Sequence, residues 1–277
     1  MSSTGGIVLV GGRSSRMGAS KATMAWHGST LVRRVAGIVA RGVDGPVVLV
    51  RSPAQRLPAL PASFEVLDDL EEGKGPLGGL AVGLRSLADR CEAVFVSSTD
   101  MPFLHPAFVR KVMGELTADA CVPCVRGFRQ SLAAGYRTSL VPVVDRLLGS
   151  GRLRVALVLE ECAWHELDEE ALLADACLAR FDPELASVTN LNNREEYETA
   201  KRCLEPAVRV ERCEAGAASP QPTTVRASTL GGAAAAVSLS LTADAFVTLN
   251  GAETSPDPEE PLAEGDVVSF TTAVTEP

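Results

Sequence analysis

The sequence predicts an α/β protein whose larger first part contains a mostly parallel sheet with helices on both faces. Two observations lead to this prediction: short, continuously apolar runs are strand-like, and stretches with helical periodicity alternate with them. Continuous apolar character is typical of strands that are buried on both faces. The strand-like runs are residues 6–10, 46–50, 64–67 and 93–100, and the helical stretches are residues 29–42 and 76–88.

The two helical stretches each show one apolar face. In the first, Leu31, Val35, Ile38 and Val39 recur at helical spacing, and Gly42 is a stop signal. In the second, the recurring residues are Leu77, Leu80, Leu84 and Leu87. We expect these faces to pack against the sheet.

The composition changes after Cys203, where residues 213–224 are rich in Ala, Ser, Pro and turn-forming residues. Strand-like runs follow at residues 207–211, 245–251 and 265–274, and the Ala-rich stretch 232–243 indicates a helix. This content predicts a small α+β domain. We place the boundary at the sequence Leu-Glu-Pro, giving domains of residues 1–205 and 206–277.

The bulk properties limit the function classes. The chain has 277 residues, 46% of them hydrophobic, a formal net charge of −9 and a pI near 5.0. This charge disfavours general binding to nucleic acid or to an anionic membrane surface. The sequence shows neither a signal peptide nor an apolar run of the roughly 18–20 residues that span a bilayer. We therefore expect a cytoplasmic protein.

The seven cysteines are an odd number spread along the chain, which is typical of reduced thiols. Cys121 and Cys124 form a C-x-x-C pair, but they lie in a strand-like run without a second pair, so structural thiols are favoured over a metal or redox site. The three histidines show no triad or metal-ligand spacing, and surface or structural roles are favoured; they are His27, His105 and His165.

The first strand leads into a flexible, basic loop within the sequence IVLVGGRSSRMGASK, residues 7–21. Gly11 and Gly12 allow backbone N–H groups to approach an anion, and Arg13, Arg16 and Lys21 add positive charge. Neither the Walker A nor the Rossmann glycine pattern is present. A nucleotide triphosphate is the favoured ligand; the alternative is a solvated loop with chance charges.

Two carboxylates lie at predicted strand ends. Asp68 ends one strand, and Asp100 ends another and is followed by Met-Pro. A magnesium ion on a nucleotide needs only one or two protein carboxylates, because phosphate oxygens and water complete its shell. Strand-end aspartates also cap helices, which is the alternative, particularly for Asp68. Together with the basic loop, they favour a magnesium–nucleotide site.

Five motifs that occur in order make a family resemblance specific. They are LVGGRSSRMGASK (9–21), GPLGGL (75–80), STDMPFL (98–104), RQSLAAGYR (129–137) and NLNNREEY (190–197). Over roughly residues 6–203 the chain resembles the molybdenum cofactor guanylyltransferases, the MobA-like nucleotidyltransferases. The resemblance implies a three-layer, Rossmann-like nucleotidyltransferase fold that binds Mg-GTP. It also implies transfer of GMP to the terminal phosphate of molybdopterin, with release of pyrophosphate.

The resemblance also implies site residues. Catalytic roles fall to Lys21, Arg16 and Asp100, with Asp100 as the magnesium ligand. The residues implied to bind the nucleotide or lie close to it are Gly11, Gly12, Lys21, Asp68, Gly75, Pro76, Leu77, Gly78, Gln130, Asn190 and Asn192; Arg13 joins them on its charge.

The chain departs from the family pattern in places that concern substrate choice. Ser131 replaces the usual proline after Gln130, and Arg152 and Arg154 are arranged differently in the region that could hold the pterin phosphate. Cytidylyl transfer, or nucleotidyl transfer to another phosphorylated acceptor, therefore remains an alternative. A third alternative is a non-catalytic protein that binds nucleotide or molybdenum cofactor and passes the cofactor to an apoenzyme.

Residues 245–277 resemble the end of the small β-grasp sulfur carriers, the MoaD/ThiS-like proteins. Those carriers end in Gly-Gly, because only an unhindered glycine carboxylate enters an adenylating site, whereas this sequence ends in Val-Thr-Glu-Pro. We therefore expect a degenerate β-grasp domain. Its expected role is docking to molybdenum cofactor biosynthesis proteins or molybdoenzyme chaperones, or dimerisation.

Overall fold

The first strand, β1 (Thr4–Leu9), is the inner strand around which the larger sheet is built. Its side chains alternate between two cores: Ile7 and Leu9 pack in one, while Val8 packs in the other. Both cores exclude water from these side chains. The continuous apolar run in the sequence therefore forms a strand that is buried on both faces of a sheet, as predicted.

The computed structural model describes residues 3–11, 21–69, 73–214, 222–243 and 245–272. The strands after β1 are β2 (Ala25–Trp26), β3 (Ser29–Thr30), β4 (Val47–Arg51), β5 (Phe64–Asp68), β6 (Ala93–Ser98), β7 (Ala120–Val125), β8 (Phe128–Arg129), β9 (Ala134–Arg137), β10 (Trp164–Leu167), β11 (Ala207–Glu214), β12 (Thr223–Arg226), β13 (Phe246–Leu249), β14 (Ala252–Thr254) and β15 (Val267–Thr272). The helices are α1 (Leu31–Ala40), α2 (Gly75–Leu87), α3 (Pro106–Gly114), α4 (Val141–Gly149), α5 (Glu169–Leu173), α6 (Ala176–Phe181), α7 (Arg194–Ala200) and α8 (Leu230–Ala236). Short 3-10 helices cover Lys21–Thr23, Thr138–Leu140, Val155–Glu160 and Ala186–Val188.

The larger sheet has the strand order β10-β7-β9-β6-β1-β4-β5, and β8 pairs with β7. Strand β1 is parallel to both of its neighbours, as β4 is to β5 and β10 to β7, whereas β9 runs antiparallel to β6 and β7. Helices α1 and α3 contribute to the core on one face, and α2 and α4 to the core on the other. The prediction of an α/β fold with a mostly parallel central sheet is confirmed.

A second, separate sheet follows, with the order β12-β11-β15-β13-β14. Strands β11 and β15 are parallel and the other pairs are antiparallel. Helix α8 packs on this sheet over a core of its own. Strands β12 and β14 were not predicted, because their sequences, TTVR and AET, are short and mostly exposed and show no apolar alternation.

Helix α1 differs from the prediction of one buried face, because every residue from Leu31 to Val39 is buried. One side of the helix packs in a core of the larger sheet. The other side is covered by residues 257–266, the segment that leads from β14 into β15. Within it, Pro261 lies against Gly37, and Ala263 belongs to the core of the first sheet rather than that of the second.

Ion pairs hold this 257–266 segment on α1. Arg33 pairs with Asp257 and Glu259, and Arg41 pairs with Asp266. Arg33 is buried although it is charged. Buried charges are tolerated when they are paired, so the arginines that the sequence places on the outer face of α1 are explained by the acidic segment that covers them.

The close contact at Gly37 predicts a loss of stability for Gly37→Ala. A Cβ at this position would lie 2.4 Å from Cγ of Pro261. Overpacking costs about 1–3 kcal/mol, while the higher helix propensity of alanine returns roughly 1 kcal/mol. We expect a net loss of up to about 2 kcal/mol in the free energy of unfolding, measured by urea denaturation. In the control Gly114→Ala a Cβ would have nothing within 4 Å; equal stability changes in both variants would contradict the prediction.

The buried His105 predicts a loss of stability in mild acid. It precedes α3, its Nδ1 accepts a hydrogen bond from the Ala107 amide, and its Nε2 lies 3.0 Å from the Glu264 carbonyl oxygen. The surrounding charged groups are Asp182, Asp266 and Arg41. Burial is the largest effect and lowers the pKa of His105 below 6.5, so the folded protein holds the ring neutral.

The unfolded chain therefore binds one more proton than the folded chain just below the ordinary histidine pKa. The contribution of His105 to the free energy of unfolding is full at neutral pH and decreases as the pH falls below about 6.5. Asparagine at this position also caps helices but does not titrate. Urea denaturation between about pH 7.5 and pH 5.5 should show a steeper decline for the wild type than for His105→Asn; parallel profiles would refute the explanation.

The described cysteines, apart from Cys213, whose side chain is outside the described part, are free. Burial raises the pKa of Cys121 to about 12, so its thiol stays protonated at neutral pH. Within the described ranges there is no group of three His, Cys, Asp or Glu residues that could hold a metal ion. In the same ranges no helix has the length and apolarity needed to cross a membrane.

Candidate active site

The candidate site lies at the carboxyl ends of β1 and β6, where the order of the strands reverses. The chain passes from β1 to β4 and β5 on one side and then returns to β6 on the other side of β1. Ligands of open α/β sheets bind in the crevice at such a switch point. Leu9 is aligned with Ser98, and the Thr99 amide donates to the Leu9 carbonyl, so Gly11 and Asp100 follow neighbouring strand ends.

Lys21 and Asp100 are in contact across this crevice. The Nζ atom of Lys21 is 3.1 Å from Oδ2 of Asp100, and each side chain is 21% exposed. The second carboxylate oxygen, Oδ1, accepts a hydrogen bond from the hydroxyl of Ser98. The sequence predicted that Asp100 is the last residue of its strand. Strand β6 instead ends at Ser98, so Asp100 lies two residues beyond it.

The asparagine-rich motif reaches the same place through its backbone. Lys21 Nζ donates to the Leu191 carbonyl oxygen at 2.7 Å, and the Leu191 amide donates to the Asp100 carbonyl oxygen at 2.8 Å. The flanking Asn190 and Asn192 are half-buried and exposed, respectively. Asn193 caps α7 by accepting from the Glu196 amide, which fixes the end of this loop.

Sequence reasoning missed two of these contacts, those of Ser98 and Leu191. Ser98 precedes the predicted aspartate by two residues, so the STD sequence itself was the available signal. Leu191 contributes only backbone atoms, and no side-chain pattern identifies a carbonyl oxygen as a ligand of Lys21.

The start of the basic loop is closely packed against residues 52–55. A Cβ on Gly11 would lie 2.8 Å from the Ser52 hydroxyl oxygen, so glycine is needed for this approach. Gln55 donates its side-chain amide to the Val10 carbonyl and accepts from the Ser52 amide. Three residues of the predicted phosphate loop, Gly12, Arg13 and Arg16, lie outside the described residues.

The second glycine motif forms the start of α2. Gly75 has a φ of +62°, a left-handed conformation that favours glycine, and Pro76 follows in the first turn. The side chain of Leu77 is buried in the core, so a ligand could reach only its backbone. A Cβ on Gly78 would lie 3.0 Å from a carboxylate oxygen of Asp69.

The remaining predicted residues lie on exposed or half-buried parts of the surface. Asp68 ends β5 and pairs with Arg51, with 2.7 Å between Oδ1 and Nε. Gln130 donates to the nearby Phe128 carbonyl. Arg152 pairs with Glu160 and Glu161, which neutralise its charge.

The oxygen atoms around Asp100 fit a hard divalent cation. Carboxylate oxygens are preferred ligands of Mg²⁺, which usually takes one or two protein carboxylates and completes its shell with phosphate oxygens and water. Asp100 supplies one partly exposed carboxylate, and Lys21 is its only described cationic partner. This arrangement suits a metal that arrives with a polyphosphate rather than one held in an all-protein cage.

Comparisons with known proteins agree with this geometry. A family model, the MobA-like NTP transferase domain, matches residues 6–166. A molybdenum cofactor guanylyltransferase of Desulfosudis oleivorans is 30% identical over 208 residues, which cover 74% of this chain and 98% of that protein. A probable molybdenum cofactor guanylyltransferase of Mycobacterium tuberculosis is 36% identical over 161 residues, covering 56% of this chain and 78% of that protein.

A solved structure shows the same fold. The molybdopterin-guanine dinucleotide biosynthesis protein A of Archaeoglobus fulgidus is 24% identical and has a TM-score of 0.58. The match covers 71% of this chain and 96% of that one. The chain therefore belongs to the MobA-like NTP transferase family, which it shares with the molybdenum cofactor guanylyltransferases.

Proposed function

We infer that the chain is a molybdenum cofactor guanylyltransferase. It transfers GMP from GTP to the terminal phosphate of molybdopterin and releases pyrophosphate. Within a chain of this family, the observation that carries the inference is the contact between Lys21 and Asp100 at the switch point of the sheet. A cation and a metal-binding carboxylate beside a glycine-containing basic loop are the groups that phosphoryl chemistry requires.

The reaction is an in-line displacement at the α-phosphorus. The acceptor phosphate is already an anionic nucleophile, so no covalent enzyme intermediate is needed. The ammonium group of Lys21 holds Asp100 and the Leu191 carbonyl in place and offers its charge to the polyphosphate. Asp100 would hold a Mg²⁺ ion, which would supply further charge neutralisation at the α-phosphate and the leaving pyrophosphate.

The nucleotide lies across the carboxyl ends of β1, β4 and β5 in this proposal. The loop after β1, with Gly11, Gly12, Arg13 and Arg16, surrounds the triphosphate. The first turn of α2, at residues 75–78, offers backbone N–H groups to the same ligand. In the same proposal Asp68, Gln130, Asn190 and Asn192 are contacts near the nucleotide.

Pyrophosphate release tests the function when GTP, CTP and ATP are each supplied with molybdopterin and magnesium. Release with GTP supports guanylyl transfer, and selective release with CTP would replace it with cytidylyl transfer. If GTP raises the melting temperature with magnesium but no pyrophosphate appears, the chain is a binding protein and the proposal fails.

We also propose that residues 206–277 form a β-grasp domain related to the sulfur carriers. The order of its strands supports this, since its first and last strands, β11 and β15, are parallel neighbours at the centre of a mixed sheet. In this proposal the domain binds molybdenum cofactor biosynthesis proteins or molybdoenzyme chaperones through the surface around Phe246, which is 48% exposed.

We also propose that the reaction takes place in the cytoplasm, where free cysteines persist.

A surface substitution tests the docking proposal better than deletion of the domain, because residues 257–266 complete the core around α1. Phe246→Asp should weaken binding of a purified pathway protein, measured by titration, and leave guanylyl transfer unchanged. Unchanged binding would remove this surface from consideration. A shift from dimer to monomer in sedimentation would assign the surface to self-association instead.

A further inference from the structure

The segment that carries Asp100 is fixed from two directions. We call residues 99–105 the Asp100 segment. On the side of the first sheet, the Thr99 amide donates to the Leu9 carbonyl, the Leu191 amide donates to the Asp100 carbonyl, and the His105 amide donates to the Ser187 hydroxyl. These contacts belong to the nucleotidyltransferase fold itself.

The other direction is the 257–266 segment, which leads into β15 of the second sheet and is reached through two buried side chains. Arg34 of α1 donates from Nε to the Pro102 carbonyl at 3.0 Å and from Nη1 to the Leu262 carbonyl. The Nε2 atom of His105 lies 3.0 Å from the Glu264 carbonyl oxygen. Residues 262–264 are thus joined to both the middle and the end of the Asp100 segment.

Stability alone does not explain an arginine at position 34. It is buried, and its described hydrogen bonds go to neutral carbonyl oxygens rather than to a carboxylate. Burial lowers the pKa of Arg34 to about 10, which leaves it charged at neutral pH. A buried charge is often less stabilising than a well-packed apolar side chain. What an apolar residue could not supply is a fork of donors that joins two backbone segments.

We propose that Arg34 is a positioning residue, through which residues 262–264, in the segment that leads into β15 of the second sheet, hold the Asp100 segment in place. The proposal rests on the proposed role of Asp100. Pro102 is only two residues from Asp100, so movement of its carbonyl displaces the carboxylate relative to Lys21. The 257–266 segment, which continues into the second sheet, then helps to order the metal site, in addition to any docking role of the second sheet.

The chain offers a matched control in the neighbouring residue. Arg33 is also buried on α1 and also bonds the 257–266 segment, through Asp257 and Glu259, but its described contacts do not include the Asp100 segment. Arg33→Met and Arg34→Met therefore both weaken the attachment of the second sheet. Only Arg34→Met removes a contact to the Asp100 segment.

Hydrogen–deuterium exchange on the full-length, metal-free and nucleotide-free protein distinguishes a specific role of Arg34 from a general weakening of the attachment of the second sheet. We expect Arg34→Met to speed exchange of the amides in Thr99–Leu104 and at Leu191, and Arg33→Met to leave these amides as in the wild type. Arg34→Lys, which retains the charge but has a single donor nitrogen in place of the guanidinium fork, should give intermediate exchange. It serves as the test if Arg34→Met does not fold. Equal exchange in the Arg33 and Arg34 variants would overturn the proposal.

Metal dependence supplies the second readout. Residues that orient a metal ligand typically change metal affinity by about 10–100-fold. We expect Arg34→Met to need about 10-fold more Mn²⁺ for half-saturation, measured by electron paramagnetic resonance, and Arg33→Met to match the wild type. If Asp100→Asn kept full turnover, the proposed role of Asp100 would fail, whereas the exchange comparison would still decide whether Arg34 holds the segment.

Discussion

Asp100→Asn is expected to lower turnover by about 10²–10³-fold, the scale for loss of one key electrostatic group at a reacting centre. Asparagine keeps the size of the side chain and its hydrogen bond with Ser98, but it removes the charge that pairs with Lys21 and would hold the metal. Pyrophosphate release at saturating magnesium measures the effect. Saturation matters because a variant that only binds metal weakly would regain activity there.

The control for this substitution is Asp145→Asn. Asp145 pairs with Arg85 at 2.5 Å, and both side chains are more than 40% exposed. Surface ion pairs contribute at most about 1 kcal/mol to stability, so this variant should keep its turnover and its melting temperature. Near wild-type turnover of Asp100→Asn, in a protein that melts normally, would refute the role of Asp100.

Lys21→Met is expected to lower turnover by a similar factor, about 10²–10³-fold, for a different reason. It removes the ammonium group that neutralises the polyphosphate and joins Asp100 to the Leu191 carbonyl. The Asp100 carboxylate is retained and loses its competing cation, so Mn²⁺ binding should be as tight as in the wild type or tighter. Asp100→Asn should instead weaken Mn²⁺ binding, and this difference separates the two roles.

Lys111→Met is a suitable control for the lysine. Lys111 pairs with Glu115 at the end of α3, and its side chain is 16% exposed, against 21% for Lys21. Turnover should be unaffected. If Lys21→Met retained turnover within a few-fold of this control, the lysine would be a structural residue and the proposed chemistry at Asp100 would need another cation.

The sequence was sufficient for the parts of the site that depend on local pattern. The apolar run of β1 predicted its burial, and parallel strands place their carboxyl ends at one edge, so the proximity of Lys21 and Asp100 followed from topology. The mostly parallel sheet followed from the alternation of strand-like and helical stretches. These predictions rely on the local spacing of apolar residues, which determines the face of a helix or strand that is buried.

Features that depend on distant contacts could not be predicted in this way. Arg34 looks like a surface residue in the pattern of α1, because the segment that covers it is more than 200 residues away in sequence. The contact between Lys21 and the Leu191 carbonyl could not be predicted, because every residue has a backbone carbonyl and no residue type identifies this one. The polar strands β12 and β14 form because β11 and β13 offer them edges to pair with.

The two-sided burial of α1 also bears on how the protein is made. Residues 31–41 leave the ribosome long before residues 257–266, which bond them across 224 positions in the case of Arg33 and Asp257. During synthesis the outer side of the helix is therefore exposed, because the residues that pair with its arginines and cover its apolar side chains have not yet been translated. Contacts of such large sequence separation form slowly, so α1 reaches its final packing only after residues 257–266 have been translated.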